Sequence, residues 1–128
     1  MRLGTDIVEI ERIAAAVERN AQFPTIILSE KELVLFRDMK EQRQYEFLAG
    51  RFSVKEAYAK ALGTGIGKIK FTDIVVLPNE MGAPKVVEGP IVESVIVSIS
   101  HSKAYATATV IIDLPDFVIN SQITSFLN

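Results

Sequence analysis

The feature that most constrains the fold is a proline-free stretch at residues 42–62 that ends at a cluster of glycines. Good helix formers, mainly Glu, Ala, Lys, Arg and Leu, fill this stretch, which predicts one long helix. Gly50 interrupts it at a cost of about 1 kcal/mol relative to alanine, which is typical of close packing or a local bend. Gly63-Thr64-Gly65-Ile66-Gly67 follows at once, and Gly63 is well placed to cap the helix.

Upstream of this helix, the sequence predicts a short strand and two further helices. The strand covers residues 2–8, and Pro24 interrupts the segment that follows. Ser29-Glu30-Lys31-Glu32 has the pattern of a capping box, which predicts the start of a helix. Between strand and proline, four apolar residues recur at helical spacing: Ile10, Ile13, Ala14 and Val17.

Downstream of the glycines, the pattern changes to that of strands. Four strand-like segments, grouped in two hairpins, occupy residues 71–77, 84–87, 95–100 and 104–112. Helices followed by hairpins predict an α+β fold, with N-terminal helices packed on an antiparallel sheet in one domain of residues 1–128. Residues 114–128 are a tail of uncertain structure, whose apolar side chains could pack on the domain or on a partner.

The composition excludes several kinds of site. The chain has no cysteine and a single histidine, which excludes disulfides, a cysteine nucleophile and a zinc site rich in thiolate or imidazole. Any metal would have oxygen ligands, which favours Mg²⁺. The net charge of −2 gives no indication of nucleic-acid binding. No apolar run approaches the roughly 20 residues that span a bilayer, and Asp6 lies where a signal peptide would be apolar, so we expect a cytoplasmic protein.

Glu56 and Lys60 are the first candidates for chemistry. They lie four residues apart in the predicted long helix, so their side chains share one face. In isolation such residues usually form a surface ion pair worth about 0.3–0.5 kcal/mol. Here the helix leads into the glycine-rich loop, whose backbone N–H groups can approach a phosphate closely. The loop matches neither the Gly-Lys-Ser/Thr nor the G-x-G-x-x-G phosphate-binding pattern, so both interpretations stay open.

Asp6 and His101 each have a structural and a functional interpretation. Asp6 precedes the first predicted helix, where it could serve as an N-cap. It could instead meet Glu56 across the fold and hold Mg²⁺, which usually takes one or two protein carboxylates. His101 lies beside two serines at a strand end, where it could be a hydrogen-bonded structural residue or could bind a phosphate.

The arginines fall into two pairs. Arg12 and Arg19 are seven residues apart in the first predicted helix, and Arg43 and Arg51 are eight apart in the long one. Both spacings keep the two side chains on roughly one side of a helix. Solvated faces are the usual explanation, but the first pair could receive an acidic partner protein and the second could receive ligand phosphates.

Three segments, in order and spacing, resemble a known family. They are Gly4-Thr5-Asp6-Ile7-Val8-Glu9-Ile10-Glu11-Arg12, then Phe47-Leu48-Ala49-Gly50-Arg51-Phe52-Ser53-Val54-Lys55-Glu56-Ala57-Tyr58-Ala59-Lys60-Ala61 with the glycine loop after it, and Ser98-Ile99-Ser100-His101-Ser102. Over residues 2–113 the chain resembles the holo-[acyl-carrier-protein] synthase family, the small bacterial 4′-phosphopantetheinyl transferases.

This resemblance implies the 4′-phosphopantetheinyl transferase fold, assembled as a homotrimer with active sites at subunit interfaces. It also implies Mg²⁺, held by Asp6 and Glu56, and coenzyme A as the donor substrate. Lys60 would neutralise charge on the phosphate and on the departing 3′,5′-ADP. The acidic helix of the acyl carrier protein would face Arg12 and Arg19. The residues implied for the nucleotide site are Arg43, Arg51, Gly63, Gly65, Gly67 and His101.

The implied reaction is a phosphoryl transfer that supports fatty acid biosynthesis, in which a carrier serine attacks the β-phosphate of coenzyme A. Such a step depends mainly on positioning and charge neutralisation. Glu56 is the candidate acceptor of the serine proton, directly or through a water on the metal. Two alternatives are a catalytically silent coenzyme A-binding module, which would not need Asp6, Glu56 and Lys60, and an interaction protein, which would leave the glycine loop and His101 without a role.

Overall fold

Five helices and five strands make up the chain in the computed structural model, which describes all residues from Met1 to Asn128. The first half contains β1 (Arg2–Glu9), α1 (Ile10–Arg19), α2 (Phe23–Ile27), α3 (Glu30–Arg37) and α4 (Glu41–Leu62). The second half contains a 3₁₀ turn (Phe71–Asp73), β2 (Val75–Pro78), β3 (Pro84–Glu88), β4 (Val95–His101), β5 (Tyr105–Ile112) and α5 (Asp116–Leu127). None of these helices is both long and apolar enough to cross a membrane.

The three longer strands form an antiparallel sheet in the order β1-β5-β4, and α4 packs on one of its faces. Strands β2 and β3 pair separately, also antiparallel. The buried apolar residues form two clusters, and α4 contributes to both of them. An antiparallel sheet packed against helices from the first half of the chain confirms the predicted α+β fold class.

The closest contact between the sheet and α4 occurs at Gly4 of β1. A Cβ atom at this position would lie 1.8 Å from the backbone oxygen of Ala57, so no side chain fits there. The contact continues two residues further along β1, where Ser53 Oγ donates a hydrogen bond to the Asp6 backbone oxygen over 3.2 Å. Gly50 is also closely packed, since a Cβ there would lie 3.3 Å from Ile99 Cγ2. The glycines therefore let α4 lie directly on the sheet.

Both predicted helix caps are present. Ser29 and Glu32 form the capping box at the start of α3, each side chain accepting a hydrogen bond from the backbone N–H of the other. Gly63 ends α4 in the left-handed conformation, with φ of 86°, and its N–H donates to the backbone oxygens of Ala59 and Lys60. Local sequence was sufficient for these predictions because a cap involves only neighbouring residues.

The prediction of a strand over residues 71–77 is wrong at its start. Phe71–Asp73 form a 3₁₀ turn, and β2 begins only at Val75. Two contacts explain the turn: the Phe71 ring stacks on Phe52 of α4 at 5.2 Å, and the Asp73 carboxylate accepts a hydrogen bond from the Lys70 N–H. The Phe71 side chain therefore packs on α4, and strand pairing begins only at Val75.

The tail is a helix, α5, for which the sequence predicted no particular structure. Its Ile119 and Ile123 are buried in the same cluster as residues of α4. Arg2 fixes its position, since the guanidinium donates to the side chains of Asp116 and Asn120 and also to the Leu62 backbone oxygen at the end of α4. The tail therefore packs on the body of the chain, one of the two possibilities that its composition had left open.

The Gly4 contact generates a prediction about stability. Gly4→Ala should lower the free energy of unfolding by about 2 kcal/mol or more, because the new methyl group meets a helix carbonyl that cannot move unless α4 moves. Urea unfolding followed by circular dichroism measures the change. Gly67→Ala is the matched control, since nothing lies within 4 Å of a Cβ at that position and its φ is not left-handed. Equal stability of the two variants would contradict the proposed close contact.

Candidate active site

One cavity, of about 530 Å³, brings together most of the charged candidates. It opens between β1, α1 and α4, and we call it the carboxylate cavity. Its charged lining residues are Asp6, Arg12, Arg19, Glu56 and Lys60. Asp6 comes from the middle of β1, while Glu56 and Lys60 come from one face of α4, as their spacing predicted. The close packing of β1 on α4 is what places these residues side by side.

Lys60 joins the two elements of this cavity. Its Nζ donates hydrogen bonds to Asp6 Oδ1 over 3.2 Å and to the Thr5 backbone oxygen over 2.9 Å. Its salt bridge is therefore with Asp6 and not with Glu56, so the interpretation of Glu56 and Lys60 as a surface ion pair does not hold. The interpretation of Asp6 as an N-cap does not hold either, because Glu9 precedes α1.

The two carboxylates of the carboxylate cavity are not fully paired with other groups of the chain. Asp6 Oδ2 is the one buried side-chain oxygen or nitrogen atom without a hydrogen-bond partner. Burial raises the pKa of Glu56 above the ordinary carboxyl value, and the negative charge of Asp6 raises it further, while Lys60 acts in the opposite direction. Two carboxylates that repel one another, one with an unpartnered buried oxygen, are a suitable environment for a cation.

The carboxylates of Asp6 and Glu56 can be compared with the ligands that different metal ions prefer. No group of three or more His, Cys, Asp or Glu side chains in the chain could hold a metal, which excludes a site closed by protein ligands alone. Two carboxylates with room for water or substrate oxygens suit Mg²⁺, which prefers such open coordination. Asp6 and Glu56 therefore fit Mg²⁺.

A second cavity, of about 500 Å³, contains the other candidates and lies on a different side of α4. Arg43, Arg51 and His101 line it, and we call it the arginine cavity. Arg51 is held in place, since its Nε donates to the Val76 backbone oxygen over 3.0 Å and its guanidinium lies over the Phe47 ring, 4.4 Å from the ring centroid. Burial lowers the pKa of Arg51 to about 10, so the side chain stays cationic at neutral pH.

The arginine cavity combines these cations with an apolar wall. The apolar side chains that line it are Leu35, Met39, Phe47, Pro78, Pro84 and Ile99. Cationic groups beside an apolar surface suit a ligand that carries both phosphates and a ring. Arg43 and His101 are exposed, so they are accessible to such a ligand.

The glycine loop lines neither of these two cavities. Gly67 borders a separate, smaller cavity of about 350 Å³, which Lys70 also lines. The N–H groups of Gly63 and Gly65 donate to backbone oxygens at the end of α4, and that of Gly67 donates to the Ile69 oxygen. These amides are therefore already satisfied within the chain, and the structure does not bring the glycines to Arg43, Arg51 and His101.

The two cavities share no lining residue. Arg51 and Glu56 are five residues apart, which places them ~140° apart around the axis of α4. One ligand cannot reach both sets of side chains without passing around the helix. The charged candidates and His101 are therefore divided between two separate cavities of a single chain.

Several lining residues were not among the sequence candidates. Phe52 lines the carboxylate cavity one turn before Glu56, and its i, i+4 spacing to that residue could have identified it. Glu46 lines the arginine cavity three residues after Arg43, at a distance of 3.9 Å between their charged atoms. Asp38 lines the same cavity, but no pattern in the sequence points to it, because it lies between two helices.

Sequence comparison identifies relatives over most of the chain. The family described as "4'-phosphopantetheinyl transferase superfamily" matches residues 2–110. A protein of Geobacillus kaustophilus named holo-[acyl-carrier-protein] synthase is 50% identical over 112 residues, which are 87% of this chain and 87% of that protein. A protein of Streptococcus agalactiae with the same name is 50% identical over 111 residues, which are 86% of this chain and 93% of that protein.

Solved structures give the same result for the fold. The holo-(acyl-carrier-protein) synthase of Bacillus anthracis, in complex with CoA (3',5'-ADP), aligns with a TM-score of 0.77 and 42% identity over 85% of this chain and 92% of that one. The Helicobacter pylori enzyme in complex with coenzyme A aligns with a TM-score of 0.76 and 34% identity over 87% of this chain and 99% of that one. The matched residues 2–110 include both cavities and end before α5. The chain belongs to the 4′-phosphopantetheinyl transferase superfamily.

Proposed function

We propose that this transferase moves the 4′-phosphopantetheine group of coenzyme A to a serine hydroxyl of apo-acyl carrier protein. The reaction is Mg²⁺-dependent, releases adenosine 3′,5′-bisphosphate and supports fatty acid biosynthesis. The observation that carries the proposal is the carboxylate cavity, where Asp6 and Glu56 lie close enough to repel one another and Asp6 Oδ2 has no partner. Relatives at 50% identity that are named holo-[acyl-carrier-protein] synthase support it.

The roles of the three residues follow from their contacts. Asp6 and Glu56 would hold Mg²⁺, which when bound neutralises negative charge on the phosphates of the donor. Lys60 is half-exposed and already compensates the charge of Asp6, so it can turn toward the leaving phosphate and stabilise its charge. Glu56 lines the same cavity as Asp6 and Lys60, so it would lie close enough to the reacting serine to accept its proton.

The division into two cavities supports an active site made by two subunits. The arginine cavity would bind the phosphates and the ring of coenzyme A, and the carboxylate cavity of the neighbouring subunit would hold the reacting phosphate. Contacts of this kind, in which different surfaces of identical chains meet, close into rings when the rotation between neighbouring chains allows it. We therefore propose that the chain forms a homotrimer with active sites at the subunit interfaces.

The outward face of the main sheet supports this assembly. Leu3, Ile111 and Ile96 lie opposite one another across β1, β5 and β4, so they form one apolar row. Leu3 is 62% and Ile96 61% exposed in the single chain, and Ile7 is similarly exposed on the same face. An exposed apolar row of this kind is typical of a surface that packs against another protein.

Arg12 and Arg19 are suited to receive the carrier protein. Both line the carboxylate cavity from α1 and are exposed, and neither makes a salt bridge within the chain. Free cations at the edge of a cavity attract an acidic partner and steer its approach. An acidic carrier bound to them would present its serine close to Glu56.

The first prediction concerns activity. Apo-acyl carrier protein incubated with the chain, coenzyme A and Mg²⁺ should gain the mass of one phosphopantetheine group, as measured by mass spectrometry. Glu56→Gln should lower the rate at least about 100-fold, because the isosteric amide neither accepts the proton nor binds the metal as an anion. The variant should fold normally, since Glu56 makes no hydrogen bond or salt bridge in the structure. Absence of the adduct with several carriers, despite coenzyme A binding, would identify a silent binding module instead.

The second prediction concerns the shared active site. Glu56→Gln disables the carboxylate cavity, and a chain with Arg43→Glu and His101→Ala disables the arginine cavity. Each variant should be inactive alone, but co-expression should restore up to about a quarter of the wild-type activity. Random mixing in a cyclic assembly brings an intact arginine cavity against an intact carboxylate cavity at about that fraction of the sites.

The control for this experiment is co-expression of Glu56→Gln with Lys60→Ala. Both changes affect the carboxylate cavity, so no mixed site is intact and no activity should return. Light scattering after gel filtration measures the assembly, which we expect to be a trimer. Mixed oligomers that form without any recovery of activity would contradict a site shared between subunits.

The third prediction concerns the carrier. Arg12→Glu with Arg19→Glu should raise the KM for acyl carrier protein about tenfold or more, since charge reversal at a steering surface slows association. The KM for coenzyme A should change little. Arg37→Glu with Lys40→Glu is the control, because both residues are exposed and line neither cavity. A rise in the KM for coenzyme A alone would assign the two arginines to the donor.

A further inference from the structure

A fully buried ion pair lies inside the chain, outside both cavities. Lys55 Nζ and Glu32 Oε1 are 2.6 Å apart, and both side chains are 0% exposed. Removing two charges from water is costly, and apolar residues of similar volume often give equal or greater stability in such a position. Stability alone therefore gives no reason for these two residues. A requirement to hold neighbouring groups in a fixed orientation does give a reason, because hydrogen bonds between charged groups fix geometry more strictly than apolar contacts do.

Glu32 connects three elements of the fold. Its Oε1 accepts hydrogen bonds from Lys55 of α4 over 2.6 Å and from the Ser29 N–H at the start of α3 over 2.9 Å. Its Oε2 accepts one from the Val76 N–H of β2 over 2.9 Å. Lys55 in turn donates to the Ile27 oxygen at the end of α2 over 2.6 Å. The contacts of Lys55 and Val76 are buried and that of Ser29 is partly buried, so they are weakly screened.

The pair leads directly to the arginine cavity through Val76. The Val76 N–H donates to Glu32, and the Val76 backbone oxygen accepts the hydrogen bond from Arg51 Nε. This is the one hydrogen bond of the Arg51 guanidinium in the chain. Displacement of Val76 would therefore remove this hydrogen bond and leave the contact with the Phe47 ring to hold Arg51 in the cavity.

The pair also reaches the carboxylate cavity, through the helix itself. Lys55 immediately precedes Glu56 in α4, and consecutive side chains lie ~100° apart around a helix axis. Anchoring Lys55 to the oxygens of Glu32 and Ile27 therefore fixes the rotation of α4 about its axis. That rotation determines whether Glu56 faces Asp6.

We propose that Glu32 and Lys55 are positioning residues for the transfer reaction, acting on Arg51 through Val76 and on Glu56 through the rotation of α4. This inference rests on the proposed function. Neither residue touches the substrates, and neither lines a cavity. The pair aligns both halves of the site that one chain contributes.

The test removes both charges while keeping the volume of the side chains, with Glu32→Leu and Lys55→Met in one chain. We expect a folded protein in which kcat falls about tenfold and the KM for coenzyme A rises about tenfold, because a weakened contact of this kind is worth about one factor of ten. The KM for the carrier should stay at its wild-type value, since Arg12 and Arg19 lie on α1. Calorimetry with coenzyme A and no carrier measures donor binding separately and should give the same tenfold weakening.

A second variant, Glu32→Gln with Lys55→Met, keeps an acceptor for the Val76 N–H but has no ion pair. Its KM for coenzyme A should return toward the wild-type value while kcat stays low, and it replaces the first variant if that one does not fold. Ile119→Ala is the control, because it removes buried volume from α5, which contributes none of the hydrogen bonds of this network. It should lower the melting temperature without changing either constant.

The outcomes separate this inference from the function on which it rests. A wild-type chain that transfers no phosphopantetheine contradicts the proposed function. Wild-type kcat and KM in both folded double variants, with an active wild-type chain, contradict the positioning role. Losses that match those of Ile119→Ala at equal melting temperature contradict it too, because the pair would then act through stability alone.

Discussion

The structure depends on the direct contact between β1 and α4. Because Gly4 has no side chain, the strand can approach the backbone oxygen of Ala57 to a distance that no Cβ would permit. Asp6 lies two residues further along the strand, and Glu56 and Lys60 lie on either side of Ala57 in the helix. The absence of one methyl group thus places two carboxylates and a lysine, which come from distant parts of the sequence, around one cavity.

The charged groups around α4 are of two kinds: some have all their hydrogen bonds satisfied within the chain, and others keep an atom without a partner. Lys60 satisfies one oxygen of Asp6 and leaves the other buried without a partner. The buried pair of Lys55 and Glu32, by contrast, is satisfied within the chain. A satisfied network resists movement, and an unsatisfied group attracts a ligand. The contrast explains how adjacent residues of one helix, Lys55 and Glu56, can have different roles.

Much of the fold was predictable because its elements are specified by neighbouring residues. The length of α4, the cap at Gly63 and the capping box at Ser29 depend on contacts within a few positions, and the sequence predicted each of them. The 3₁₀ turn at Phe71 and the whole of α5 were not predictable in this way. The turn depends on stacking against Phe52 and α5 on Arg2, both distant in sequence, so local patterns contain no information about them.

For the candidate site, the sequence alone determined which residue types are present and which share a helix face. Oxygen ligands follow from the lack of cysteine, and the common face of Glu56 and Lys60 follows from helical periodicity. Only the tertiary structure decided that Lys60 pairs with Asp6, that the glycines lie away from the arginines, and that the candidates divide between two cavities. The reason is physical, because helical periodicity determines only the direction in which each side chain leaves its own helix. The distance between a strand and a helix depends instead on how closely their surfaces pack.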